Sequence, residues 1–597
     1  MKLSGFCPLS KWVLTLLVVA IAVNVYNTFS RLSYEALDFD AAHFYLPFAE
    51  QFLAEGLRFF HREESVHYGP LAYLYPALFG ANPVIIKLAN IVLSCLVVVM
   101  VYRVGSLLHS PAAGIAAAFM YALSPSISEL TPTVLTEPVY FFFTGLWLWA
   151  VTEIVVNGKR SLIPVAGIAF GLAILTRGTF IYFLGLVMLI SLVLAMRKSK
   201  QREDYSGLFW AHVIAAVFPI ILILKNWIVF DYPFIATGAG NALYFGSHPL
   251  VYGYEMPYFG LGYDQGAVTQ ELDHLSIAGV RLLNGVALTV LADRHWDDLI
   301  SAYWQKTMAF IFVTKAVLPD TLFNIRSLRI AEVVLSVIGL LSVRNRIMQW
   351  LIGGAIGYQI AVHVPVLYTH RYSVGALDLW LVLLSAIGAA QLLYYRRWSN
   401  TILKPIAVLV LILAAVGIGE WQRKHSAPLS PNILGVPHDD IWVKNKNDLA
   451  DQSTTNMTLL KGGVYQLSDS NGSLVIPVRG VLKLNSSGNY VLSLAFSVTV
   501  PQRGDQCQGG RVSFKRLMDG GFSDALSIPF RINSENSVPQ YHFGATLALA
   551  LISDGELTLD ISCPKETVVD IEKIWLSEPQ VAGVYREKYL KKALVIK

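Results

Sequence analysis

Through residue 419 the chain runs in long apolar blocks broken by short charged clusters; beyond it the pattern changes to short alternations of apolar and polar positions. A membrane-crossing helix needs roughly 20 apolar residues, fewer where helices pack inside a bundle. On that criterion spans are expected near 11–30, 83–102, 112–127, 138–156, 162–176, 179–196, 209–224, 327–343, 347–363, 373–394 and 401–419. This amounts to about eleven transmembrane helices, with two long segments between spans, 31–82 and 225–326. Threaded alternately through a bilayer, the spans leave Lys2, Lys11, Arg103, Lys159, Arg160, Arg197, Arg202, Arg344, Arg346, Arg396 and Arg397 on one side. Loops rich in Lys and Arg stay cytoplasmic, so the opposite side, which receives Asp38, Asp40, Glu129, Glu137, Arg177, Lys225, His370 and Arg371, is expected to be external.

Beyond the last span the even-numbered positions Tyr490, Leu492, Leu494, Phe496, Val498 and Val500 alternate with smaller or polar residues, the signature of a half-buried strand. Leu547, Leu549 and Leu551, then Asp554-Gly555, then Leu557, Leu559 and Ile561 predict a hairpin closed by an Asp-Gly turn. The expected fold is therefore a polytopic α-helical membrane domain over 1–425, a linker over 426–445 and a C-terminal extracytoplasmic β-sandwich over 446–597. In the second long segment the glycine-bearing run from Ala236 to Pro249 is expected to be irregular, Trp296 to Phe312 reads as amphipathic, and Asp297 and Asp298 mark a helix start.

Composition narrows the class: 54% hydrophobic and only 15% charged residues exclude an ordinary soluble enzyme. A net charge of +5 over 597 residues is small, and basic residues in membrane proteins set topology, so nothing points to nucleic acid. Lys2 and Lys11 precede an apolar run to Ala22 without a clear small-residue cleavage site, which predicts an uncleaved first helix. Of the four cysteines, Cys7 and Cys95 lie before and within spans, while Cys507 and Cys563 share the polar C-terminal part and are expected to form a disulfide.

The stretch Leu37 to Leu53 carries the candidate chemistry, because it sets Asp38 and Asp40 just beyond the first span. As a cap, Asp40 would start a helix lying in the interface with Phe44, Phe48 and Phe52 on one face. The alternative is catalysis: an inverting sugar transfer needs a base for the acceptor hydroxyl proton, and one of the two aspartates can supply it while the other orients. A helix N-terminus would position Asp40, which is therefore the expected base. Arg177, Lys225, His370 and Arg371 are cations at the same face that suit a departing phosphate, or serve as interfacial anchors. Glu137 pairs with one of them or touches substrate. His43, His61 and His67 have no compact ligand spacing, so no metal or other cofactor is expected. The triplets at Asn456, Asn471 and Asn485 match glycosylation acceptors, a pattern common by chance.

The order of motifs then resembles a known group. The acidic stretch Asp38–Ala49, Tyr68-Gly-Pro-Leu71, Ser124-Pro125, Thr136-Glu137-Pro138, Gly167 through Gly171 to Arg177, Lys225-Asn226, Gly240-Asn241 to Gly246 and His370-Arg371-Tyr372 are similar to the GT-C class of membrane glycosyltransferases. Within it they resemble the dolichyl-phosphate-mannose protein mannosyltransferase-like superfamily, which also includes the bacterial 4-amino-4-deoxyarabinose lipid A transferase. The resemblance covers roughly 10–395. It implies a polyprenyl-phosphate monosaccharide donor, an external site, inversion, Asp38 or Asp40 as base, and Arg177, Lys225, His370 and Arg371 near the donor phosphate, with Glu137, Tyr68 and Asn241 as substrate or structural residues. The family's acidic pair is adjacent whereas Phe39 separates this one, and Lys stands at 225 where the family has Arg.

The expected function is thus an integral-membrane glycosyltransferase, in a bacterial inner membrane, moving one sugar to a protein, lipid or glycan acceptor. A lipid-linked sugar transporter or flippase would show a polar interior, whereas here the charged residues sit at span ends. A non-catalytic assembly protein is the third reading, and the sandwich either binds glycan or acceptor or caps the bundle.

Overall fold

The computed structural model describes residues 11–33, 37–38, 40–197, 201–247, 272–293, 296–312, 325–394, 438–449, 452–461, 463–478, 489–501, 507, 509–518, 521–530, 532, 540–548 and 555–579. The chain divides into two compact units, one comprising residues 1–239, 275–277 and 300–426, the other 240–274, 278–299 and 427–597.

The first unit opens with α1 (Lys11–Phe29), α2 (Leu46–Glu55), α3 (Leu71–Ala77), α4 (Pro83–Leu108), α5 (Pro111–Leu123), α6 (Pro125–Leu130), α7 (Glu137–Asn157), α8 (Ile163–Thr176), α9 (Ile181–Met196) and α10 (Arg202–Phe230). After α11 (Gly238–Ser247), α12 (Ile277–Asp293) and α13 (Trp296–Phe312), it closes with α14 (Ile325–Ser342), α15 (Arg346–His363) and α16 (His370–Tyr394). Among the described residues six helices are long and apolar enough to cross a membrane: α1, α4, α7, α9 with the turn before it, α10 and α16. The block near 112–127 is shorter than expected because Ser124 leaves the helical region ahead of Pro125, and its side chain caps α6 instead. The block near 162–176 is likewise a short apolar helix, and 401–419 lies outside the described residues.

Small residues let the helices approach. A Cβ on Gly339 would stand 1.8 Å from the Leu384 carbonyl oxygen and one on Gly388 2.0 Å from that of Leu335, so α14 and α16 meet backbone to backbone. Trp147 of α7 stacks on Phe170 of α8 at 4.5 Å between ring centroids and meets Trp380 of α16 edge-on at 6.1 Å. Outside the bundle, Phe48, Phe59 and Tyr73 are buried in an aromatic cluster that Phe44, Phe52 and Tyr68 pack against. The face of α2 drawn by Phe44, Phe48 and Phe52 is thus covered by protein rather than left free for the interface.

In the second unit the run from Ala236 departs from expectation: Gly238–Ser247 is helical, and Gly240 sits where a Cβ would meet Val280 Cγ1 at 2.4 Å, so absence of a side chain serves packing. Helix α13 begins at Trp296, with Asp297 and Asp298 in its first turn. The C-terminal region is strand-rich: β1 (His438–Asn445), β2 (Ser453–Thr455), β3 (Met457–Lys461), β4 (Val464–Leu467), β5 (Asn471–Val478), β6 (Asn489–Thr499), β7 (Gly509–Met518), β8 (Gly521–Phe530), β9 (Gln540–Ala548), β10 (Gly555–Ser562) and β11 (Val568–Pro579). One sheet runs β3-β4-β11-β6-β9 with β1 also on β11, the other β2-β5-β10-β7-β8, all antiparallel. Leu494, Phe496 and Val498 of the first share a core with Leu474, Leu557 and Leu559 of the second, and Cys507 is bonded to Cys563.

The expected hairpin around Asp554-Gly555 is corrected. Strand β9 pairs with β6 while β10 pairs with β5 and β7, so Leu547 and Leu557 belong to different sheets. Alternation marks which face is buried and does not name the neighbouring strand. The connection, 549–554, lies outside the described residues.

Candidate active site

Three helix termini in the first unit bring charge together. Helix α7 starts at Glu137 with Pro138 behind it, α8 gives way at Arg177 to extended backbone, and α16 begins at His370 and Arg371. Glu137 is fully buried, and its Oε1 accepts from Arg177 Nη1 at 2.7 Å and from Arg371 Nε at 2.6 Å. Arg371 Nη1 also donates to Asp40 Oδ2 at 2.6 Å. The rings of Tyr372 and Tyr140 lie 5.3 and 5.9 Å from the Arg177 guanidinium. A carboxylate in an interior is tolerable only when paired, and these two cations supply that pairing. Of the two roles open to Glu137, the structure shows charge pairing, with two cations rather than one.

Asp40 does not cap. Its backbone is already helical (φ −62°, ψ −38°), its side chain makes no cap hydrogen bond, and a π-helical turn, Ala41–Tyr45, precedes α2. The arginine draws the carboxylate away instead. Asp38 differs: its carbonyl accepts from Ala42 N at 2.9 Å, and among the described residues its carboxylate has no ion pair and no side-chain partner, only a hydrogen bond from its own backbone amide. Although the residue is exposed, the carboxyl is held above the usual aspartate range by desolvation from the protein around it; Arg371 opposes this, and the charges of Glu137 and Asp40 add to it. Tyr68 stacks edge-on to Tyr45 with centroids 5.1 Å apart, and its hydroxyl is raised by desolvation and then by Asp40.

Lys225, near the end of α10, stands apart from this network. Its Nζ donates to Ser65 Oγ at 2.9 Å and Asn226 Oδ1 at 3.0 Å, and it lies over the rings of Phe230 (4.8 Å) and Phe60 (5.6 Å). Among the described residues it has no carboxylate partner. The Asn226 side chain donates to the carbonyls of Phe234 and Ile235, fixing the turn that follows. The His370 side chain lies outside what is described, and Asn241 is half-buried on α11 in the second unit.

Two sets of residues escaped the sequence. Lys87, buried in the first turns of α4, donates to the Ser33 carbonyl at 2.6 Å and is attracted by Asp38, so it pins the segment leading to the acids. A lysine inside an apolar block was the available signal. The second set corrects the expectation that charge sits at span ends. Arg329 of α14, 3% exposed, pairs with Asp378 of α16 at 2.5 Å and Glu332 at 2.9 Å, and Ser126 of α6 donates to Asp378 at 2.5 Å. These charges sit within helices because they neutralise one another there, which no single-residue hydropathy reading reveals.

Residues 70–228 match the family model of dolichyl-phosphate-mannose-protein mannosyltransferases. The matched stretch contains Glu137, Arg177 and Lys225, and over it the resemblance implied by the motifs is borne out. No curated protein matches the chain. Among solved structures, the apo oligosaccharyltransferase of Archaeoglobus fulgidus is 12% identical with a TM-score of 0.40, covering 69% of this chain and 56% of its own. A second archaeal structure, AglB with an inhibitory peptide and a dolichol-phosphate, is 12% identical with a TM-score of 0.41, covering 68% and 55%. ArnT from Cupriavidus metallidurans in the apo state is 16% identical with a TM-score of 0.28, covering 64% and 78%. The chain thus spans little more than half the length of the archaeal enzymes.

Proposed function

We propose that this chain is an inverting glycosyltransferase of a bacterial inner membrane that moves one sugar from a polyprenyl phosphate to an extracytoplasmic acceptor. The observation that carries the reading is Asp38, a carboxylate without an ion pair among the described residues, beside a network in which Asp40 and Glu137 are both paired to arginine. In this reading the acceptor hydroxyl oxygen attacks the anomeric carbon while Asp38 takes its proton. The bond from that carbon to the phosphate oxygen breaks, and polyprenyl phosphate departs with the electron pair. Lys225 offsets the charge that grows on it, an amine without a carboxylate partner among the described residues and lying over two rings. The reaction so written requires no metal.

The sequence favoured Asp40 for the proton. The Asp40 carboxylate is already engaged by a charge-assisted bond from Arg371, so the role is assigned to Asp38 and Asp40 becomes its anchor. The family match to mannosyltransferases that use dolichyl-phosphate-mannose supports a lipid-phosphate donor, and the separation of Lys and Arg along the chain supports an external site. Purified protein given radiolabelled polyprenyl-phosphate sugars should release polyprenyl phosphate, by transfer or slow hydrolysis. No release from any donor in a panel of hexose and pentose derivatives would count against the reading.

A further inference from the structure

We propose that Glu137 and Arg371 are positioning residues: Glu137 orients Arg371 so that Arg371 holds Asp40, which sets the turn bearing Asp38, and Arg371 is not a ligand of the donor phosphate. This rests on the glycosyltransferase reading and departs from the family resemblance, which groups Arg371 with the phosphate cations.

Charge accounting comes first. Asp40 and Glu137 contribute two negative charges, Arg177 and Arg371 two positive ones, and all four are joined through three contacts of 2.6 to 2.7 Å. The group is neutral as it stands. A phosphate recruiting Arg371 would have to draw it from Glu137, a carboxylate with no exposure that would be left underpaired in the interior. Among the described residues Lys225 has no carboxylate to leave behind.

Geometry comes second. Arg371 reaches Glu137 with Nε and Asp40 with Nη1, two edges of one planar group, so fixing one fixes the other. The Asp38 carbonyl accepts from Ala42 N, placing Asp40 within the turn that presents Asp38. Gly375, one turn beyond Arg371, has no side chain where a Cβ would stand 3.0 Å from Arg177 Nη1 and 3.3 Å from Glu137 Cγ. Further along the same helix, Asp378 is tied to Ser126 and Arg329, which fixes the rotation of α16. The network is therefore clamped from below as well as from its own members.

The test compares Glu137→Gln with Gly375→Ala, the second keeping every charge while crowding Glu137 and Arg177 by a few tenths of an ångström. Turnover of the labelled donor that the unaltered protein accepts is measured together with equilibrium binding of polyprenyl phosphate in detergent micelles. Both variants should lose turnover, by up to about 10²-fold as misplacement of a reacting group costs, with polyprenyl phosphate affinity unchanged. In Glu137→Gln the acid limb of turnover should also move to lower pH, because a negative charge that raises the Asp38 carboxyl has gone; Gly375→Ala keeps that charge and should leave the limb in place. If Glu137→Gln does not fold, Gly375→Ala decides alone. Loss of lipid affinity in step with turnover sinks the positioning role while the transferase reading stands. An unaltered protein that neither binds polyprenyl phosphate nor releases it from any donor sinks both.

Discussion

Two ion networks share α16, two turns apart, and differ in whether solvent reaches them. In the deeper one Arg329 and Asp378 are 3% and 2% exposed, and Ser126 and Glu332 complete the set. In the outer one Glu137 is equally enclosed, but Asp40 and Arg371 are a quarter exposed, and Asp38 beyond them has no ion pair among the described residues. Each buried charge is answered by another in both, as the cost of desolvation demands. What separates scaffold from candidate chemistry is therefore the open edge and the spare carboxylate, not the number of charges.

The largest effect expected on that comparison is at Asp38. Asp38→Asn should cut turnover by about 10²–10⁴-fold, the contribution of a positioned general base, with folding and polyprenyl phosphate binding retained; Asp40→Asn should cost less. The opposite ranking would return the proton to Asp40. Because the Asp38 carboxyl is raised, it is deprotonated only above the ordinary aspartate range, near 3.9. Activity should accordingly fall on acidification at a higher pH than an unperturbed aspartate would give, and a limb at or below the ordinary value would argue against Asp38.

Next comes the closed network. Arg329→Met leaves Asp378 and Glu332 without their shared cation in the bundle interior, a change worth about 3–5 kcal/mol of stability. The thermal unfolding midpoint of the detergent-solubilised protein should drop while the acid limb of the residual activity stays in place. A shifted limb with unchanged stability would mean that the two networks are one site.

How far the chain announces this arrangement depends on the kind of feature. Long apolar blocks such as those of α4, α7 and α10 were legible because membrane burial selects for composition over a whole turn-by-turn length. Thr136-Glu137 and His370-Arg371 were legible as charged helix ends on one face. Their mutual pairing was not, since residues 234 positions apart meet only through the fold. The cap reading of Asp40 failed because an arginine offers its carboxylate more than a backbone amide does. Gly238 to Ser247 looked irregular because glycine propensity is weak evidence against a packed neighbour such as Val280. Ser126, Arg329 and Asp378 were invisible for a related reason: each alone is an unfavourable residue in an apolar helix, and only the trio makes sense.

A smaller effect sharpens the outer edge. Lys225→Ala removes a cation whose recorded partners are a hydroxyl, an amide and two rings. A hydrogen bond to a charged group is worth about 1.5–3 kcal/mol, so affinity for polyprenyl phosphate should weaken about tenfold or more in equilibrium binding. Unchanged affinity would remove Lys225 from the phosphate site, and with it the division of labour between one free amine and two committed arginines.

The smallest effect is expected where the same ions meet in water. Arg62 bonds Glu55 through two contacts, at 2.6 and 2.8 Å, close to the 2.6 to 2.7 Å of the outer network. Its side chain is 47% exposed and that of Glu55 28%, however, so solvent already satisfies much of what each group needs. Arg62→Ala should change stability by no more than about 1 kcal/mol, and leave turnover alone, when read by the same thermal melt and donor assay as Arg329→Met. Equal losses from the two arginines would show that contact distance alone sets the value of an ion pair in this protein. Unequal ones trace the difference to enclosure, the property that also separates the two networks on α16.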